Sequence, residues 1–260
     1  ALCTSVLDWA FESKIGFSYF VSIGNTMGVN IGDLIDYFGQ DTNTRSIVLY
    51  VEALANARSF MSAARAFARK KPIIVYKSGR FPESAKAAAS HTGALASDDS
   101  IYDAVFRRAG IARVYDIGDI FDFTDLIGRK RIPKGNGLAL VTNAGGPGVM
   151  ATDTLLALRG KLVELTSETI DQLDKYLPLF WSHGNPVDVL GDATPERFTE
   201  ATKIVLTDPG VDAVLVILTP QAMTDPTETA KSIAKLAEST SKLIMAAWLG
   251  GASMRDGVKI

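Results

Sequence analysis

Unbroken apolar runs alternate along the whole chain with segments whose apolar residues recur every three to four positions. The runs IVLYV (47–51), IIVY (73–76), LALVT (138–142) and AVLVILT (213–219) read as strands covered on both faces. In the first half the pattern predicts a helix over 2–13 and a strand at Phe17–Ile23. A short helix at Asp33–Gly39 and a strand at Ser46–Val51 follow. The helix Ala57–Arg69 has Phe60, Ala64 and Phe67 at helical spacing, and Pro72 stops it before a strand at Ile73–Lys77. A glycine-bearing, alanine-rich loop occupies Ser78–Ala96. Ser97 and Asp98 offer N-caps for a helix to Ala109, followed by a strand at Ala112–Tyr115 and a helix from Asp116 to Ile127.

The polar stretch Gly128–Asn136 (GRKRIPKGN) interrupts the alternation, which then restarts. Strands are predicted at Gly137–Thr142, Leu162–Glu164, Ala213–Thr219 and Leu243–Trp248. Helices are predicted from Pro147 to Leu158, and at Ser167–Tyr176, Pro195–Thr207 and Thr227–Ser239, with a further helix where the sequence ends at Ile260. Strands separated by helices of about 10–15 residues imply parallel sheets with helices on both faces. Because the pattern occurs twice, the expected fold is α/β, with two flavodoxin-like three-layer parallel-sheet domains. The first covers 1–128, a linker covers 129–136, and the second covers 137–260. Both ends read as cut, with a strand missing before residue 1 and another after residue 260. In such folds ligands bind beyond the carboxyl ends of the strands. The residues just after 23, 51, 77, 142 and 219 are therefore the places to look for chemistry.

Composition narrows this picture. The chain has 260 residues, 47% of them hydrophobic, and a net charge of −2 with no basic block, so neither nucleic acid nor an acidic membrane is implied as a partner. Its one cysteine, Cys3, excludes an intrachain disulfide and a cysteine metal site, and fits a cytoplasmic location. No apolar run reaches the ~18 residues of a membrane helix, and the first residues do not form a signal peptide.

Only two histidines are present, His91 and His183. His91 stands in SHTGAL, after a strand and among small residues that let a phosphate or another backbone come close. A lone histidine is more often a surface or core residue than a catalyst. Glu52 ends the run 47–51; it is either an ordinary strand-end glutamate or the acceptor that orients an imidazole. Asn143-Ala144-Gly145-Gly146-Pro147-Gly148 joins a strand to a helix. Free N–H groups at that helix start make an anion site, although any tight strand–helix turn uses glycine, and neither a P-loop nor GxGxxG is present. His183 reads as an exposed loop residue, Asp98-Asp99 as helix capping, and Asp192 or Thr194 as a cap. No GxSxG elbow or triad is apparent.

Three stretches carry a family resemblance: KSGR…AAASHTGALASDDSIYDAVFRRAGIARVYDIGDIFD, VTNAGGPGVMATDTL and GNPVDVLGDATPERF. They resemble, in order and over essentially the whole chain, the CoA-ligase domains of NDP-forming acyl-CoA synthetases. That superfamily includes ADP-forming acetyl-CoA synthetase and succinyl-CoA synthetase. The resemblance implies that His91 is transiently phosphorylated and that Glu52 orients it. It implies that Asn143, Ala144, Gly145, Gly146 and Gly148 open a helix whose N-terminus faces the phosphohistidine. A second such helix, here 2–13, would follow a serine-containing turn lying before Ala1. The implied reaction interconverts acyl-CoA, ADP and phosphate with carboxylic acid, CoA and ATP.

The resemblance also implies CoA, ATP/ADP and Mg²⁺ as cofactors, held mostly by a CoA-binding domain and an ATP-grasp domain on the same chain or a partner subunit. The other partners implied are a small carboxylic acid or acyl-CoA substrate and a homo-oligomer; this stretch alone is expected to be inactive. LDWAFESKIGFSYFVSIGN and KKPIIVYKSGR also resemble the synthetase-like region of Gcn5-type protein lysine acetyltransferases, where it is a regulatory acyl-CoA-binding module. A third alternative is a non-catalytic flavodoxin-like binding module.

Overall fold

The computed structural model describes residues 2–12, 15–24, 28–81, 83–84, 98–128 and 133–260. The chain divides into two compact units, Ala1–Lys130 and Arg131–Ile260.

In the first unit α1 (Leu2–Glu12), α2 (Ile31–Gln40), β1 (Ile47–Val51), α3 (Ala57–Phe67), β2 (Ile73–Lys77), α4 (Asp99–Ala109), β3 (Ala112–Val114) and α5 (Ile117–Gly128) follow in order. The strands form a parallel sheet in the order β1-β2-β3. β2 is buried on both faces. Val75 packs with Ile35, Phe60, Ala64 and Phe106 of α2, α3 and α4, while Ile74 packs with Val114 and Ile120 on the α5 side. Trp9 of α1 stacks on Phe121 of α5.

Local chemistry sets the helix boundaries. Asn30 and Asp33 form a reciprocal capping box at the start of α2. Asp98 accepts from the Ser100 N–H at the start of α4, and Gly110, at φ 76°, ends that helix in the left-handed conformation.

The strand predicted at Phe17–Ile23 is not one. A strand exists only when its backbone finds a ladder partner. Residues 17–23 make no backbone–backbone hydrogen bond among the described residues, and β1 pairs only with β2. The segment instead lines a groove of about 820 Å³, opposite Ile35, Leu49 and Phe121, with Phe17, Tyr19, Phe20 and Val21 exposed. The apolar run thus corresponds neither to a hydrogen-bonded ladder nor to a buried face.

The second unit contains β4 (Gly137–Thr142), α6 (Gly145–Ala157), β5 (Lys161–Leu162), α7 (Ser167–Tyr176), β6 (Val187–Asp188), α8 (Pro195–Thr207), β7 (Ala213–Leu218), α9 (Pro226–Ser239) and β8 (Leu243–Trp248). A 3₁₀ turn at Ala252–Met254 and α10 (Arg255–Val258) complete it. The parallel order is β5-β4-β7-β8, with β6 also on β4. β4 is therefore central: the next strand, β5, lies on one side of it and β7 on the other, which defines a switch point at its carboxyl end. β6 is the one strand the sequence pattern did not anticipate; at two residues it is too short to show a period.

The core of this unit gathers Val141, Val214 and Val216 of the sheet with Leu173, Phe198, Ala201 and Val205 of α7 and α8. Leu140 and Ile217 are buried on the other face. Below the sheet, Asp208 accepts from the Thr166 and Gly210 N–H groups, and Lys242 Nζ donates to the carbonyls of Leu206 and Asp208. Phe198 has no exposed surface. Phe198→Ala is expected to destabilise this unit by about 3–5 kcal/mol, measured as a lower urea midpoint by the fluorescence of buried Trp181.

Candidate functional site

In the first unit the three strands end together, so Glu52, Ser78 and Tyr115 emerge at one sheet edge. Glu52 is half-buried and accepts a hydrogen bond from Tyr50 Oη at Oε1, 3.3 Å away. Tyr50 stacks on Tyr76, which stands opposite it in the register, with ring centroids 5.9 Å apart. Desolvation pushes the Tyr50 phenol up, and the nearby Glu52 adds to this, so Tyr50 stays a hydrogen-bond donor at neutral pH. The Ser78 N–H donates to the Val51 carbonyl at 3.0 Å, tying the exits of β1 and β2 together.

Sequence reasoning missed Lys77, the last residue of β2 and almost fully buried. Its ammonium donates to the carbonyls of Ser78 and Gly79 and lies 4.6 Å from the ring centroid of Tyr102. Burial pushes its pKa down, and the carboxylates of Asp99 and Glu52 act in the opposite sense. The Tyr102 hydroxyl accepts from the Leu54 N–H at 3.4 Å, so one buried lysine and one tyrosine join the loops after β1 and β2. The available signal was a lysine closing an otherwise apolar run, IIVYK. His91, which this edge leads toward in sequence, lies outside the described residues.

In the second unit the turn after β4 is built from the inside. Asn143 is 2% exposed. Its Oδ1 accepts from the Thr219 N–H at 2.9 Å and its Nδ2 donates to the Thr219 carbonyl at 2.9 Å. That side chain is therefore committed to locking the exits of β4 and β7. Ala144 caps α6 without a side-chain hydrogen bond. The N–H groups of Gly145 and Gly146 donate to no partner among the described residues. With Pro147 next, they leave a helix start bearing open donors and the positive end of its dipole.

The glycines differ in purpose. A Cβ on Gly148 would meet Pro186 and Thr142 at 3.3 Å, so Gly148 lets the helix pack close to the sheet. A Cβ on Gly146 would meet nothing within 4 Å, so nothing crowds the approach to that backbone. Asp188, at the end of β6, was not anticipated; a Cβ on Gly145 would lie 3.5 Å from its Oδ2. Its Oδ1 accepts from the Leu190 N–H, which holds Leu190 at φ 71°.

The remaining candidates have structural partners. His183 is exposed, but Nδ1 lies 2.8 Å from Asp174 Oδ1 and Nε2 lies 2.9 Å from the Leu179 carbonyl. Those contacts, the carbonyl first, push its pKa up, and neither nitrogen is free to attack an electrophile. Thr194 caps α8, while Asp192 pairs with Arg197. Asp98 caps α4, whereas Asp99 is engaged by Arg80 and Arg113. Among the described residues no group of His, Cys, Asp and Glu is arranged to hold a metal ion. No helix among them is long and apolar enough to cross a membrane.

Two family profiles cover the two units: the succinyl-CoA ligase like flavodoxin domain over residues 1–127 and the Ligase-CoA domain over residues 138–249. The chain belongs to the CoA-ligase family. It is 38% identical, over all of its length, to the acetate–CoA ligase [ADP-forming] I of Archaeoglobus fulgidus, of which it spans 37%. It is 36% identical to the alpha subunit of the acetate–CoA ligase [ADP-forming] I of Pyrococcus furiosus, with 99% of this chain and 56% of that subunit aligned. Among solved structures, the dinucleotide forming acetyl-coenzyme A synthetase 1 of Ca. Korarchaeum cryptofilum, in complex with phosphate and ADP, superposes with a TM-score of 0.92 at 34% identity. The match covers 99% of this chain and 56% of that one. The chain thus spans between about a third and just over half of the length of these CoA ligases. These relatives give no support to the acetyltransferase alternative.

The Asn143 lock is testable by itself. Asn143→Ala leaves the Thr219 backbone groups without their partner and is expected to cost about 1–3 kcal/mol in chemical denaturation. Asn143→Asp keeps the acceptor but sets a buried carboxylate oxygen against the Thr219 carbonyl, and is expected to cost at least as much as Asn143→Ala at neutral pH.

Proposed function

We propose that this CoA-ligase chain works within an ADP-forming acyl-CoA synthetase, interconverting acyl-CoA, ADP and phosphate with carboxylic acid, CoA and ATP through a phosphohistidine at His91. The observation that carries the reading is the match, along the full chain, to ADP-forming acetate–CoA ligases. The SHTGAL sequence that follows β2 supplies the nucleophile. His183 does not compete for the role, because both of its ring nitrogens are engaged.

In the proposed sequence, phosphate attacks the thioester carbonyl, releasing CoA and forming an acyl phosphate. The neutral His91 imidazole attacks the phosphorus, the P–O bond to the acyl group breaks, and the carboxylate leaves. The phosphoryl group is then transferred from the ring nitrogen to ADP. Glu52 accepts the N–H of the other ring nitrogen and stabilises the cationic ring as it forms. Two features support this role for Glu52: it stands at the strand end, and among the described residues only one of its carboxylate oxygens has a hydrogen-bond partner, Tyr50. The open N–H groups of Gly145 and Gly146 serve as phosphate donors, with Asn143, Ala144 and Gly148 shaping their turn.

CoA-binding and nucleotide-binding parts, the latter with Mg²⁺, belong to the rest of the synthetase. The length of the relatives beyond the matched region supports this, as does the naming of one of them as an alpha subunit. Assembly as a homo-oligomer and a cytoplasmic location complete the proposal.

The complete synthetase incubated with γ-labelled ATP is expected to gain an acid-labile, base-stable label. His91→Ala is expected to abolish the label, and Glu52→Gln to slow its formation by about 10²-fold or more. Equal labelling of wild type and His91→Ala would exclude the relay.

A further inference from the structure

We infer that Arg80 is a positioning residue for the phosphoryl chemistry of His91, acting as a clamp that joins the two ends of the segment 81–98. The inference rests on the role proposed above for His91. The clamp itself consists of described residues from three elements.

Arg80 follows the exit of β2, where Gly79 at φ 67° turns the chain. Its Nε donates to Asp99 Oδ2 at 3.4 Å, and its guanidinium lies 4.4 Å from the ring centroid of Tyr115. Asp99 is the first residue of α4, on the far side of the segment in sequence. The same carboxylate pairs through Oδ1 with Arg113 of β3, whose side chain is only 5% exposed. Arg113 lies 4.9 Å from the Tyr115 ring centroid and 3.6 Å from Asp103 Oδ1, and the Tyr115 hydroxyl donates to Asp103 at 3.4 Å. Tyr115 thus carries two guanidinium groups, and two aspartates balance their charge.

The direction of dependence follows from burial. Arg113, Asp99 and Asp103 join β3 to α4 through a guanidinium that is itself buried, and would do so without Arg80. Arg80 is the one member that belongs to the strand exit, and its pairing fixes where the segment starts relative to where it ends. Its side chain is 32% exposed, so the pair adds little to global stability. Its value is geometric: a nucleophile displaced by about 1 Å can lose 10²-fold in rate. Lys77 completes the anchor by holding the Ser78 and Gly79 carbonyls.

The test uses the complete synthetase. Arg80→Gln is expected to lower both the rate of His91 labelling from ATP and kcat by roughly tenfold or more, with KM values and melting temperature unchanged. Arg80→Lys keeps the charge but not the planar stack on Tyr115, and is expected to recover only part of the loss. Hydrogen exchange at the amides of Gly79–Phe81 and Asp99–Ile101 is expected to rise in Arg80→Gln. Wild-type exchange and labelling in Arg80→Gln would overturn the clamp. So would a loss expressed only in KM, which would make Arg80 a substrate ligand, or a loss matched by a fall in melting temperature. If wild type itself takes no label, the phosphohistidine reading fails, and the exchange measurement alone decides whether Arg80 clamps the segment.

Discussion

Parallel pairing is the constraint from which the chemistry of both units descends. Strands that run the same way end at the same edge, so every strand-to-helix turn of a sheet is delivered to one line. Glu52, Lys77, Ser78 and Tyr115 share an edge because β1, β2 and β3 are in parallel register. Thr142, Asp188 and Thr219 share another because β4, β6 and β7 are too. None of these residues needs a motif that specifies its position relative to the others. The price is that each exit must be tied to its neighbour, since a parallel sheet leaves long crossovers between adjacent strand ends.

The two edges meet that need with different chemistry. In the second unit the tie is neutral: Asn143 mimics a backbone amide and fills both hydrogen-bonding positions of Thr219. A neutral tie adds no charge of its own at the start of α6. In the first unit the ties are ionic, through Lys77 to carbonyls and through Arg80 and Arg113 to Asp99. A buried ammonium is costly unless donors and acceptors match, and burial accordingly depresses Lys77. Its carbonyl contacts fix the chain at the exit of β2.

How far the sequence could be read follows from what each element depends on. β2, α7, α8 and β8 run as the sequence predicts, because caps such as Thr166 and Thr194 and breakers such as Pro72 are local signals. Phe17–Ile23 shows the opposite case, since an apolar run reports β propensity whereas a ladder requires a neighbouring strand. β6 was hidden because two residues carry no period. Among the site residues, Glu52 and the glycine turn were legible as strand ends. Arg80 and Asp99 were not, because their partners are 14 or more residues away in sequence, and the surroundings of Lys77 and Asp188 come from the neighbouring elements that carry Tyr102 and Gly145. Asp98-Asp99 read as capping, which holds for Asp98 alone.

The turn after β4 also shows why its glycines are not interchangeable. Gly148 is favoured by packing, because an added Cβ would meet Pro186 and Thr142 at 3.3 Å and they would have to give by a few tenths of an ångström. A Cβ on Gly146 would meet nothing among the described residues, which would accommodate an alanine. Its open surroundings matter only to something that approaches from outside. Asp188 lies beside Gly145 and opposes any anion that does so. A carboxylate beside the open start of α6 offsets part of the attraction that the helix dipole exerts on an anion. The same edge therefore holds two elements of opposite effect on an approaching negative charge.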